Sequence, residues 1–139
     1  MSISFNRSGL HEHETKKYIK KLISDSSTGI QKEMHLLVLD EISKTVKELY
    51  SNNIVHNALT THNISCALEI IDFETSFEIN KTDKDLENKL SLIPREIVQL
   101  QEIAFAVSWW FQESYKVDEV EKILDQNGLL HYSFKHMQE

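Results

Sequence analysis

The sequence predicts an all-α fold, a single-domain six-helix bundle spanning residues 1–139. Three observations carry this: apolar residues recur at steps of three and four, cap-forming residues punctuate those stripes, and only three Gly and one Pro are present. A sandwich or barrel of this size would need turn residues every ~8 to 12 positions. With 40% hydrophobic residues, six Phe, four Tyr and two Trp, the chain can fill one core, and no linker, repeat or low-complexity stretch divides it.

The first helix is expected over 10–24, where Thr15, Tyr18, Ile19, Leu22 and Ile23 share a face and Glu12 and Glu14 suit the positive end of the dipole. Thr28 and Gln31 have capping-box spacing and open a second helix reaching Tyr50, with Ile30, Met34, Leu37, Val38, Ile42, Val46 and Leu49 on one side. A third is expected over 54–79, because Val55, Leu59, His62, Cys66, Ile70, Phe73 and Phe77 advance by threes and fours. Thr82 and Asp85 can cap a short fourth helix carrying Leu86, Leu90 and Ile93. Pro94 suits the first turn of a fifth, over 94–116, which is apolar all round from 103 to 111 and is therefore expected at the centre with Trp109 or Trp110 buried. Asp118 and Glu121 open a sixth, closed by Asn127 and Gly128. Beyond it, Leu130, Phe134 and Met137 continue a helical face, while Leu130, Tyr132 and Phe134 alternate as a strand would, with Ile3 and Phe5 available to pair; helix is favoured.

Charge narrows the partners. A formal charge of −7 disfavours a grip on nucleic-acid phosphates, and Lys16, Lys17, Lys20 and Lys21 read as a solvated helix face. The lone cysteine, Cys66, cannot form an intramolecular disulfide, no apolar run reaches membrane-spanning length, and residues 1–10 lack a signal core, so a cytoplasmic location is expected. Thirteen Lys to two Arg, with abundant Ile and Asn, suggests an AT-rich source such as a low-GC bacterium, its phage or a plasmid.

No catalytic constellation emerges, and with glycines only at 9, 29 and 128 there is no Gly-rich phosphate loop or nucleophile elbow. His62 and Cys66 lie one turn apart on the third predicted helix, but two ligands do not complete a tetrahedral metal site, and no metal or cofactor is expected. A core role for both outweighs a ligand role, with His62 expected to face inward. The residues available to line an apolar pocket are His62, Cys66, Phe73, Phe77, Trp109, Trp110 and Phe111.

The order of elements, the stretch Ile93, Pro94, Arg95, Glu96, Ile97 leading into Ala104, Phe105, Ala106, Val107, Ser108, Trp109, and His62 on an inner face resemble the globin layout across about residues 54–136. The stretch from Asp83 to Ile93 holds no histidine to ligate iron. The resemblance therefore implies a haem-less, globin-like bacterial sensor domain, some of which have fatty-acid-binding pockets. The expected function is non-enzymatic: a regulatory sensor that takes an apolar small molecule or an anion in its helical core and signals through protein contacts, a second copy among them. The alternative is an acidic interaction module, such as an immunity protein or phage inhibitor, matched by charge to a basic partner.

Overall fold

The computed structural model describes residues 9–25 and 33–132. The Thr28–Gln31 capping box and the contributions expected from Ile3, Phe5, Phe134 and Met137 lie outside these residues. In chain order come α1 (Glu12–Asp25), α2 (Met34–Ser51), β1 (Ile54–Val55), a 3-10 turn (Thr61–Asn63), β2 (Phe77–Glu78), α3 (Leu86–Leu90), α4 (Leu92–Trp110) and α5 (Val117–Gln126). The protein is thus mostly helical, but it is not a six-helix bundle: the described residues form four helices of ten or more residues, one short turn of helix and a two-stranded sheet.

The core is the α2–α4 pair. Helix α2 buries Val38, Leu39, Ile42, Val46 and Tyr50, and α4 answers with Ile93, Ile97, Leu100, Ile103, Ala104 and Val107, each set at the three-and-four spacing that keeps one face of a helix inward. Helix α5 adds Val120 and Leu124 against α2, and α1 contributes Ile19 to the same cluster. The end of α5 was legible in Asn127 and Gly128. Gly128 has φ +71°, Leu129 donates its N–H to the Leu124 carbonyl at 2.8 Å, and Gly128 donates to Asp125 at 2.9 Å. Those two bonds satisfy the last carbonyls, and buried Leu129 packs beyond them.

The third predicted helix does not form. Residues 54–79 instead make two nested hairpins: β1 pairs antiparallel with β2, Ile54 opposite Glu78 and Val55 opposite Phe77, and inside them Ile64 bridges Ile70. Local chemistry explains the outcome. The segment is rich in β-branched residues (Ile54, Val55, Ile64, Ile70, Ile71), and Asn53, Asn57, Leu68 and Asp72 adopt φ between +59° and +71°, which no helix accommodates. The helix that would place His62 in a globin-like position is therefore absent.

Helix α4 is central, yet its aromatics are not. Trp109 is 76% exposed, Phe105 55% and Val98 51%, whereas Trp110 is half-buried against the core. The apolar run from 103 to 111 thus gives one face to the core and another to the surface. We predict that Leu39→Ala and Leu100→Ala each cost about 2–5 kcal/mol in urea unfolding. Trp109→Ala should stay within about 0.5 kcal/mol of wild type, and a large loss there would place its ring in the core after all.

Candidate functional site

The hairpins end in two loops, residues 56–63 and 71–76, held side by side by a buried histidine. His56 is fully buried; its Nε2–H donates to the Ile71 carbonyl at 2.9 Å, and its Nδ1 accepts from the Ala58 amide at 3.2 Å. With both nitrogens engaged, the neutral Nε2–H tautomer is the one the contacts require. The edge of the ring meets Phe73, with centroids 4.8 Å apart at 76°.

A carboxylate from α4 tethers the first loop. Glu96, 1% exposed, accepts from the Tyr50 hydroxyl at 2.8 Å through Oε1 and from the Asn57 amide at 2.9 Å through Oε2. Asn57 sits at φ +71° and is pinned again where its Nδ2 donates to the Thr75 carbonyl at 3.3 Å. Burial, and then the negative charge of Glu96, push the Tyr50 hydroxyl far above the ordinary tyrosine range. Asn63 closes the loop: Nδ2 donates to the Ala58 carbonyl at 2.8 Å, and its own carbonyl accepts from the Ile71 amide at 2.9 Å, which sets Asn63 next to exposed Asp72. Asp72, like Asn57, has a positive φ, +59°. Two non-glycine residues held in that region within adjoining loops indicate a conformation imposed by the surroundings.

The residues singled out in the sequence are spread over three parts of the molecule. His62 is exposed in the 3-10 turn, not inward beside Cys66, because the helical stripe that joined them does not exist. Cys66 is half-buried in the tight turn at the hairpin tip, its thiol pushed upward chiefly by burial and then by Glu14. Phe73 is 43% exposed against His56, and Phe77 lies in β2 under the Lys89 ammonium, 5.6 Å from its ring centre. Trp109, Trp110 and Phe111 end α4, where Lys16 sits 5.6 Å from the Phe111 ring.

Sequence reasoning missed His56, Ala58, Asn63, Asp72 and Glu96. A spacing signal was present: His56, Leu59 and Asn63 fit His-x-x-Leu-x-x-x-Asn, and Asp72–Phe73 follows, the pattern of the catalytic and metal-binding loops of protein kinases. Two departures hid it. Ala58 stands where the catalytic aspartate falls, and Glu74 stands where Asp-Phe-Gly has its glycine.

A second polar cluster lies at the start of α2. The Glu113 carboxylate accepts from the Met34 amide at 2.6 Å, the His35 amide at 3.0 Å and the His35 Nδ1–H at 2.8 Å, while His35 Nε2 accepts from the Lys116 amide at 3.3 Å. Glu33, nearby, pairs with the Lys116 ammonium at 2.7 Å. The trio Glu33, His35 and Glu113 has the spread of a metal site, but Glu113 is engaged by the His35 ring and by helix amides that would otherwise lack acceptors, and Glu33 by Lys116.

The fold and its paired loops define a helical domain in which two loops are held side by side by buried side chains. No family model matches the chain, and no solved structure does. The chain is similar to the EKC/KEOPS complex subunit BUD32 of Enterocytozoon bieneusi (strain H348), 36% identical over 87 residues. The match covers 61% of this chain and 41% of that protein, so the chain spans less than half the length of this curated relative. That relative is microsporidian.

We predict that Tyr50→Phe, which leaves a buried Glu96 oxygen without its donor, costs about 1–3 kcal/mol. The raised Tyr50 value also gives a pH dependence. Its stabilisation is complete below the unfolded tyrosine value of about 10 and is lost as pH rises above it towards the folded value. Urea midpoints measured across that alkaline range should fall more steeply for wild type than for Tyr50→Phe; parallel slopes would show that Tyr50 ionises freely. Glu113→Ala should cost about 0.5–2 kcal/mol through the lost cap, read in the same melts.

Proposed function

We propose that this protein is a non-catalytic, regulatory binding subunit built on a kinase-like pair of loops, working through contacts with other proteins. The observation that carries the reading is Ala58: the surrounding loop is held in place by His56, Glu96 and Asn63, yet the position of the base is a methyl group. In phosphoryl transfer the aspartate at this position accepts the proton of the attacking hydroxyl. Neither Ala58 nor its neighbours Asn57 and Leu59 can accept it, so the arrangement can bind and position but lacks the group that completes the reaction. The similarity to a protein named as a complex subunit supports a role in an assembly.

Donation by Asn63 Nδ2 to Ala58 leaves Oδ1 uncommitted, and Asp72 follows Ile71, whose amide is bonded to the Asn63 carbonyl; its exposed carboxylate accepts only from the Glu74 amide, at 3.4 Å, so both residues offer oxygen of the kind a hard divalent cation such as Mg²⁺ takes. When bound, that cation would neutralise phosphate charge. A phosphate cradle is not identified among the described residues, where Gly9 and Gly128 flank helix ends.

The test joins chemistry to location. Incubation with Mg-ATP and a protein acceptor should transfer no phosphate above the buffer rate. In NMR spectra, Mn²⁺ should first broaden the amides of 58–63 and 72–74, and Asp72→Ala should remove that broadening. Phosphate transfer that disappears in Asp72→Ala would make the protein an enzyme, and broadening centred elsewhere would deny the loops this role.

A further inference from the structure

Helix α4 carries a second feature, on the face turned away from α2. Val98, Glu102, Phe105 and Trp109 follow one another by steps of four, three and four and form a surface stripe of three large apolar side chains around one carboxylate. Beside it lies a groove of about 370 Å³ lined by Val98, Gln101, Glu102, Phe105 and Tyr115. Its far wall is fixed: the Tyr115 ring meets Phe105 at 5.4 Å and 72°, lies tilted 5.6 Å from the His35 ring, and donates its hydroxyl to the Gln101 carbonyl at 3.4 Å. Glu102 is the one carboxylate in the lining of the groove. Glu102 also borders a smaller notch of about 140 Å³, shared with Thr60 and Thr61 of the first loop and with Gln99.

We propose that this groove docks an amphipathic helix of a partner protein, its apolar residues against Val98, Phe105 and Trp109 and a lysine or arginine against Glu102. Charge selects the occupant. A second copy meeting this surface through a two-fold axis would bring the same patch, with its own Glu102 and no basic side chain, against it, in chains that each carry −7. A helix with an apolar stripe flanked by basic residues matches both the groove and its rim, and large exposed aromatics are the residues on which such contacts concentrate. The notch gives the basic side chain a path to Thr60 and Thr61, which brings the bound helix to the edge of the loops. This supplies a surface for the contact-based role proposed above, and its test does not depend on the loops.

The probes are two fluorescein-labelled helical peptides with the same leucine stripe, one flanked by lysines and one by glutamates, titrated against the full chain by anisotropy. The lysine peptide should bind saturably and roughly tenfold or more tighter than the glutamate peptide. Phe105→Ala and Trp109→Ala should each weaken it by roughly tenfold while leaving the urea midpoint in place. Glu102→Lys should reverse the preference, which a diffuse attraction to an acidic protein would not do. Asp72→Ala should bind as wild type, so loss of the metal-loop reading and loss of this one are separable. Equal affinity for both peptides, no saturable binding, indifference to Phe105→Ala, or a wild-type dimer that Trp109→Glu dissolves would each overturn the proposal, the last by making a second copy the occupant.

Discussion

One buried carboxylate sets the relation between the helices and everything they carry. Glu96 issues from the inner face of α4, takes the Tyr50 hydroxyl from the end of α2, and offers its other oxygen to the Asn57 amide. The first contact joins the two core helices, and the second fixes the start of the loop that runs to Asn63. An acid placed this deep is costly unless both oxygens are satisfied, so the site specifies its own partners: a phenol on one side and a backbone amide in an unusual conformation on the other. Once Asn57 is set, His56 is drawn beneath the loop, and through the Ile71 carbonyl it positions the loop that bears Asp72.

The other end of the core pair uses the same device with a different acid. Glu113, just beyond α4, reaches the first amides of α2 and the His35 ring, so the segment leaving one helix caps the other. Tyr115, two residues on, rests on the same histidine and forms a wall of the surface groove. Two acids with long-range partners therefore do what a larger sheet would do in another fold, locating irregular chain against a helical pair.

The helices were legible because their burial follows a period the sequence displays. The stripes of α2 and α4 and the Asn127–Gly128 stop are all read from spacing and residue type. Residues 54–79 misled because Val55, Leu59, His62, Cys66, Ile70, Phe73 and Phe77 fall by chance at helical intervals, while the β-branched residues and the turn-forming Asn57 and Asp72 argued the other way. Periodicity outweighed propensity in that reading, and the hairpins show the reverse order of strength. The site was harder still. Nothing in the local sequence announces that Glu96 will be buried, since its partners lie 46 and 39 residues away. Trp109 shows the opposite error, an apolar residue on a mostly apolar helix that faces outward.

The strands are only two residues long, so the hairpins add little cross-strand bonding of their own. Their attachment runs through a few bonds, the Asn57 amide to Glu96 and the Leu10 amide to the Thr61 carbonyl foremost, together with the buried Val55, Leu59 and Ile64. A segment attached in this way can open as a cooperative unit while the helical pair stays closed. Amide hydrogen exchange would then divide the molecule in two, with slow protons in the interlocked helices and a faster, collectively exchanging set in 54–79. The protein would possess two free energies of opening, the lower one belonging to its loops.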